Sequence, residues 1–324
     1  MNRFLISILF IVIAFPGRGQ QMPLYSQYMM SGYLLNPAIA GSDGFTSFNL
    51  TAREQWLGFQ GAPQTRSFSG QTRLLRKSYV IKSNAVNNRQ LKPSTKGRVG
   101  LGGFFYYDRN GAVERLGVNA SYAYHIFMKD LQLSFGLSGG LYQFKVHEED
   151  LFFLDPDDPM INEGLGKMLY VPDANIGFYM LNYRYYFGFS VNQLFQSYLK
   201  FGNQLLSQYK LLRHYYIMGG YSFPLGRDYE LEPSILIKGT EKLTLQADFT
   251  AKLYYSQDYW LGATYRTSGT LIALAGIRFH QLHLGYSFDY TLSSIRKHSW
   301  GSHEIVIAMK FGDSARRYRW LNRY

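Results

Sequence analysis

Histidines, carboxylates and hydroxyl nucleophiles are the groups from which a hydrolytic or metal centre is built, and in this chain they do not converge. The seven histidines are scattered. The nearest pair, His280 and His283, lies three apart at a strand turn, where a continuing strand sends the two rings to opposite faces, so no metal site is expected there. Asp150, Asp155, Asp157 and Asp158 offer the oxygen ligands that Ca²⁺ takes, but Pro156 and Pro159 beside them fit a stiff exposed turn better. The run GLGG from Gly100 has no strand-to-helix context of the kind a phosphate loop needs. No Ser, His and Asp set is assembled by spacing. The sequence therefore predicts no catalytic residue, no cofactor and no metal ligand.

Another set of charged residues is organised differently. Asn49, Arg53, Arg115, His125, Glu232, Lys238, Asp248, Lys252, Arg278, Asp289, Glu304 and Lys310 fall on the polar side of alternating runs. Both signs are present, which suits ion pairing across an enclosed space more than a selectivity lining of one sign. The elements that carry them are long. From Leu243 to Ser256, LTLQADFTAKLYYS places Leu, Leu, Ala, Phe, Ala, Leu and Tyr on one face and Thr, Gln, Asp, Thr, Lys, Tyr and Ser on the other. LHLGYSFDYTLS from Leu282 repeats the pattern, as do LQLSFGLSGGL from Leu131, LGVNASYAYHI from Leu116, YELEPSILIKG from Tyr229 and SHEIVIAMKF from Ser302. Runs of roughly 9 to 14 residues match strands that cross a bilayer at a tilt, whereas soluble sandwiches use strands of about 5 to 6. The 28 Tyr and 24 Phe, clustered near run ends, fit interfacial girdles. The expected fold is all-β: a transmembrane antiparallel barrel of about fourteen strands.

Residues 1–19, MNRFLISILFIVIAFPGRG, have the basic start, short apolar run and small residues of a cleaved secretory signal, which puts the mature start at Gln20 and the protein in the outer membrane. The formal charge of +12 invites nucleic acid or an anionic lipid surface, and the export signal favours lipid. There is no cysteine, so disulfides contribute nothing. Strand starts are expected near Phe45, Gln64, Arg98, Glu114, Leu131, Asp173, Tyr185, His214, Tyr229, Leu243, Tyr259, Thr270, Leu282 and Gly301. An even number returns both ends to the periplasm. The connections from Lys145, Phe195 and Ser293 are then long and extracellular, and those at Met128, Gly226 and His280 short and periplasmic.

Four segments follow: a signal (1–19), an N-terminal periplasmic or plug segment (20–44), the barrel (45–312) and a basic periplasmic tail (313–324). The segment from Gln20 to Gly41, QQMPLYSQYMMSGYLLNPAIAG, is too apolar for a free tail and too irregular for a strand. Tyr25, Gln27, Tyr28, Met29, Met30, Tyr33 and Asn36 suit it to enter the barrel lumen or cover its periplasmic mouth, since irregular backbone at membrane depth is tolerated inside protein. Ser26 is positioned to cap a short helix that Asn36-Pro37 would end. The stretch from Leu74 to Arg98, with Arg76 and Lys77, and the tail with Arg316, Arg317, Arg319 and Arg323, bring positive charge to one rim, suited to a periplasmic partner or anionic headgroups. Trp56 and Phe59 flank the first outer turn, WLGFQGAP, either as a rim that meets cargo or as interfacial anchors.

The motifs MPLYSQYMMSGYLLNPAIAGS, REQWLGFQGAPQTRSFS, GRVGLGGFFYYDRNGAVERLGVNASYAYHIFM, LQLSFGLSGG, DPDDP and LEPSILIKG run over nearly the whole mature chain. With these motifs the chain resembles the PorP/SprF family of outer-membrane proteins of the type IX secretion system. The basic insert after the second strand is longer than the family pattern. The resemblance implies a non-enzymatic accessory role: helping secrete proteins or holding them at the cell surface, including gliding adhesins. The implied partners are the sorting domain of a secreted cargo protein, periplasmic or outer-membrane secretion components, and outer-membrane lipid. The residues expected to make partner or plug contacts are Tyr25, Tyr28, Met29, Tyr33, Asn36, Arg53, Trp56, Phe59, Arg76 and Lys77. Two other readings compete: a fatty-acid-transporter-like or porin barrel with an N-terminal hatch, and a lipid-acting outer-membrane enzyme, for which no nucleophile is visible.

Overall fold

Alternation on this scale leaves one face of every strand wet and the other dry, and a sheet satisfies its edge hydrogen bonds in lipid only by closing on itself. The computed structural model, which describes residues 23–74, 98–128, 130–151, 168–196, 198–199, 209–242 and 244–311, shows that closure. Its strands are β1 (Thr46–Glu54), β2 (Gln64–Leu74), β3 (Val99–Asn110), β4 (Val113–Met128), β5 (Leu131–Val146), β6 (Leu169–Asn182) and β7 (Tyr185–Asn192). They continue as β8 (His214–Tyr221), β9 (Tyr229–Thr240), β10 (Leu245–Tyr255), β11 (Tyr259–Arg266), β12 (Thr270–Phe279), β13 (Leu282–Thr291) and β14 (Ser302–Phe311). Each pairs antiparallel with its neighbour in the chain; β1 pairs with β14, and β8 pairs with β9 through His214–Thr240 to Gly220–Ser234. This is a closed barrel of fourteen strands. A short extra strand, Phe223–Leu225, extends the β8–β9 hairpin against Tyr229–Leu231.

Register fixes which side chains face out. In β1, Phe48 and Leu50 are exposed while Ser47, Asn49, Thr51 and Arg53 are buried. In β10, Leu245, Phe249 and Leu253 are exposed while Gln246, Asp248, Thr250 and Lys252 are buried. The usual arrangement of a soluble protein is inverted, and a continuous apolar outer wall of this extent has hydrocarbon as its solvent. The first and last strands, and the short turns after β4, β6, β10 and β12, share one end of the barrel.

Two expectations shift. Strand β6 begins at Leu169, four residues before the expected Asp173, because Pro172 sits inside the strand opposite Leu141 instead of ahead of it. The expected helix in the N-terminal segment is replaced by two 3₁₀ turns, Gly32–Leu34 and Pro37–Ile39. Ser26 caps neither, since its hydroxyl donates to Asp289 Oδ2 at 2.7 Å. Asn36 starts the second turn instead of ending a helix: its Oδ1 accepts from the Ala38 N–H at 2.9 Å, and Pro37 takes the first helical position, where no N–H is needed. The signal, the tail, Leu243, Arg76, Lys77, Asp155, Asp157 and Asp158 lie outside the described residues.

Candidate functional site

The side chains that could do chemistry are gathered inside the ring, around a piece of the chain's own N-terminus. Residues Tyr25–Tyr28 and Ser31–Ala38 are buried. Hydrogen bonds from this segment reach walls on opposite sides of the ring: the Tyr28 hydroxyl meets Ser234 Oγ on β9 at 2.9 Å, and the Tyr33 hydroxyl donates to Ser121 on β4 at 2.9 Å. Asn36 Nδ2 donates to the Phe178 carbonyl on β6 at 2.9 Å. A segment bonded to β4, β6 and β9 of a closed ring lies within it. Its apolar residues Tyr25, Tyr28, Leu34, Leu35 and Ala38 form one core with Tyr179, Leu181, Tyr186, Tyr216, Met218 and Leu236 of the wall.

The segment's backbone is satisfied by the wall, as irregular chain at membrane depth requires. Ser190 Oγ donates to the Leu35 carbonyl at 2.7 Å, and Asn49 Nδ2 to the Met30 carbonyl at 2.8 Å. His125 Nε2 donates to the Ala40 carbonyl at 3.0 Å, while Arg73 Nε reaches the Gly41 carbonyl at 2.7 Å. Asp43 pairs with Lys310 at 3.2 Å.

A network of buried ions anchors the start of the segment. Glu304 on β14 accepts the backbone N–H groups of Ser26 and Gln27, each at 2.8 Å. Arg53 on β1 pairs with Asp289 at 2.7 Å and with Glu304 at 3.2 Å, and also donates to Ser26 Oγ at 2.7 Å. Arg266 on β11 grips Asp248 with two donors, both at 2.9 Å, and lies 3.7 Å from Asp289. Lys238 is 3.5 Å from Asp248. Three cations meet three carboxylates, so the cluster is balanced in place, and the N-terminal segment supplies neutral donors to it. Among the described residues no group of three metal-ligating side chains occurs.

Sequence reasoning overlooked the glycines that shape the seat. Gly100 on β3 and Gly136 on β5 face inward, and a Cβ on either would overlap the segment's backbone, at Ala40 in the first case and at Pro37–Ala38 in the second. The GLGG run read as plain strand glycine is therefore part of this contact. Only a register that brings the segment against those strands could have revealed it. Gly136→Ala is expected to push the 37–39 turn off the wall while leaving the β4–β5 and β5–β6 pairing intact. Proteolysis of the N-terminal segment in folded protein should accelerate at least tenfold, and an unchanged rate would show that the seat tolerates the methyl.

At the far end, the turn from Trp56 to Pro63 pairs with the β13–β14 connection: Leu57 N–H donates to the Gly301 carbonyl, and Trp300 N–H to the Leu57 carbonyl, both at 2.8 Å. Trp56 sits at φ 52° with its N–H on Ser302 Oγ, and Phe59 is exposed. Just past β5, His147 bridges Glu114 at 2.8 Å and Glu149 at 3.0 Å. The hydrogen bond to Glu114, then that to Glu149, raises the His147 pKa. The pairing is complete below the ordinary histidine value of about 6.5 and is lost as the pH rises through the raised value. Amide exchange across residues 147–151 should accelerate as the pH rises above about 6.5 and through the raised value, beyond the intrinsic rate increase, and His147→Gln should abolish that excess.

The family described as Type IX secretion system membrane protein PorP/SprF matches residues 17–309, which covers the inner segment and the barrel to its last strand. The chain belongs to the PorP/SprF family. As a member of it with a closed, outwardly apolar barrel, the protein is integral to the outer membrane. No curated protein matches by sequence. Among solved structures, the chain is similar to the Ralstonia pickettii toluene transporter TbuX at 10% identity and a TM-score of 0.47, over 87% of this chain and 94% of that one. The Acinetobacter baumannii outer membrane protein Omp33 aligns at 8% identity and a TM-score of 0.41, over 83% of this chain and 100% of that one. BamA from Haemophilus ducreyi lacking POTRA domains 1-3 aligns at 7% identity and a TM-score of 0.42, over 82% and 70%.

Proposed function

We propose that this PorP/SprF protein is a non-enzymatic scaffold of the type IX secretion system: a plugged barrel that holds cargo outside and machinery beneath. The observation that carries the reading is the lumen itself. A channel spends its interior on a path for solute, whereas here Tyr25–Ala38 lie across the interior and bond to opposite walls. The charged groups a pore would present to solute are turned on one another and on Ser26 and Gln27. What remains for function is the two rims. Beside the turn at Trp56, Phe59 and Trp300 offer exposed aromatic surface for the sorting domain of a secreted protein, such as a gliding adhesin. In sequence, Arg76 and Lys77 come just after the last residue of β2, and their charge favours a periplasmic component or anionic headgroups.

Affinity capture from solubilised outer membranes tests this. Secretion components and at least one large exported protein should co-purify with the wild type. Phe59→Ala with Trp300→Ala should reduce recovery of the exported protein alone. Capture of lipid and general porins only would sink the proposal.

A further inference from the structure

Beneath the plug, toward the end of the barrel with the short turns, the interior is not filled. A cavity of about 130 Å³ remains there, walled by Met29, Met30, Tyr179, Tyr186, Met218 and Trp260. Its position follows from the strands that supply it, since Ser47, His283, Trp260 and Tyr186 stand near the starts of β1, β13, β11 and β7. These thioether and aromatic side chains, which adapt to apolar groups of varied shape, share the lining with polar and charged ones. The volume is close to that of an engineered cavity that holds benzene, so it takes one side chain and is too small for an acyl tail.

Two polar atoms make this more than a packing gap. Asn49 is 8% exposed and His283 9%; both line the cavity, and neither Asn49 Oδ1 nor His283 Nδ1 has a hydrogen-bond partner. Asn49 Nδ2 is already committed to the Met30 carbonyl, which leaves Oδ1 as an acceptor. Register relates the two residues. Ala308 on β14 pairs with Asn49 on one side and with His283 on the other, so the three form one inward row across three adjacent strands. The small Ala308 makes a notch between two unsatisfied groups that stand about 10 Å apart at Cα. The flanking amides of a single extended residue bridge such a gap once both side chains lean inward. Among the lining residues, Asp43, Glu230 and Glu232 are matched by Lys252, Arg278 and Lys310, a balance that selects against a strongly charged ligand such as a lipid phosphate.

We propose that the notch over Ala308 is a peptide-binding site, which takes one apolar side chain of an extended polypeptide segment into the cavity and its neighbouring amides onto Asn49 and His283. The occupant belongs to a protein that meets the barrel from the short-turn end, and in that respect the site rests on the docking role proposed above.

The site is tested with the full mature chain in nanodiscs, using N-acetyl-phenylalanine methylamide as probe and toluene as the ring without amides. Saturation-transfer NMR, corrected with empty nanodiscs, should show millimolar binding of the amide probe and weaker binding of toluene. Ala308→Phe fills the notch and should weaken the probe at least tenfold. Met218→Trp, which fills the cavity from the facing wall, should do the same if the first variant folds poorly. Asn49→Leu with His283→Leu should erase the preference of the amide probe over toluene. Probe binding equal to that of toluene, or unmoved by either filling variant, overturns the site. The docking role fails separately: probe binding by wild type without recovery of any secretion component from membranes would sink that role and leave the site standing.

Discussion

Arg53→Met is expected to be among the most damaging single changes in the protein, at a position that touches neither lipid nor water. The guanidinium is 3% exposed and holds Asp289, Glu304 and the Ser26 hydroxyl at once. Its loss leaves two buried carboxylates with diminished compensation, because Asp289 retains the Ser26 hydroxyl and, as its nearest cation, the more distant Arg266 at 3.7 Å, while Glu304 retains the two backbone donors. Removing one member of such a buried group costs about 3–5 kcal/mol, since the penalty is the uncompensated charge left behind and not the worth of the pair. Exposed pairs behave differently. Arg109–Asp150, at 42% and 38% exposure, should contribute below about 1 kcal/mol. Arg53→Met and Arg109→Met are compared by urea unfolding in lipid vesicles, read from the mobility of folded and unfolded barrel on gels. Arg53→Met with Glu304→Leu should lose clearly less than the sum of the single changes, because the second change removes a charge that the first had stranded. A loss under 1 kcal/mol for Arg53→Met would mean that water reaches the cluster and screens it.

The contrast between those two arginines shows what could be read without coordinates. Alternation along β10 and β13 is dictated by solvent on one side and hydrocarbon on the other, and a pattern set by the surroundings is present in the sequence itself. Strand starts at Gln64, Leu131, Tyr259 and Leu282 follow from it directly. The start of β6 was less legible, because the penalty for a proline such as Pro172 in a strand depends on whether its nitrogen faces a neighbour's carbonyl, a matter of pairing and not of the residue. The inward placement of Arg53, Asp289 and Glu304 was legible for the same reason as the strands. Their convergence was not, because it joins residues more than 230 positions apart and depends on the stagger of β1, β13 and β14. The segment from Pro23 to Gly44 announced itself by carrying tyrosine and methionine where no strand could form. Its seat at Gly100 and Gly136 was invisible, because a glycine kept small for another segment's backbone looks like any other strand glycine.

Deletion of residues 23–44 should convert the barrel from a closed body into a conducting pore. The wall does not depend on the segment for its own backbone pairing: all fourteen strands bond to two neighbours, and closure runs through β1–β14 and β8–β9. The truncated chain, with residues 1–22 kept, is therefore expected to insert and keep its heat-dependent gel mobility, at reduced stability. A fourteen-stranded wall encloses more space than its side chains fill, in contrast to an eight-stranded one. In planar bilayers the full-length protein should pass no steady current, while the deletion should give an ohmic conductance. The opened interior would expose Arg53, Lys238 and Arg266 together with Asp248, Asp289 and Glu304, so the current should discriminate weakly between cations and anions. Strong selectivity would show that the ion cluster had rearranged. Equal conductance with and without the segment would remove the occupied lumen as the ground for reading a scaffold, and a transport barrel would then be the better account. Partner recovery separates the two roles further, because a scaffold that works through its rims should keep its exported partner after the lumen is opened, whereas a hatch-gated transporter has no reason to hold one.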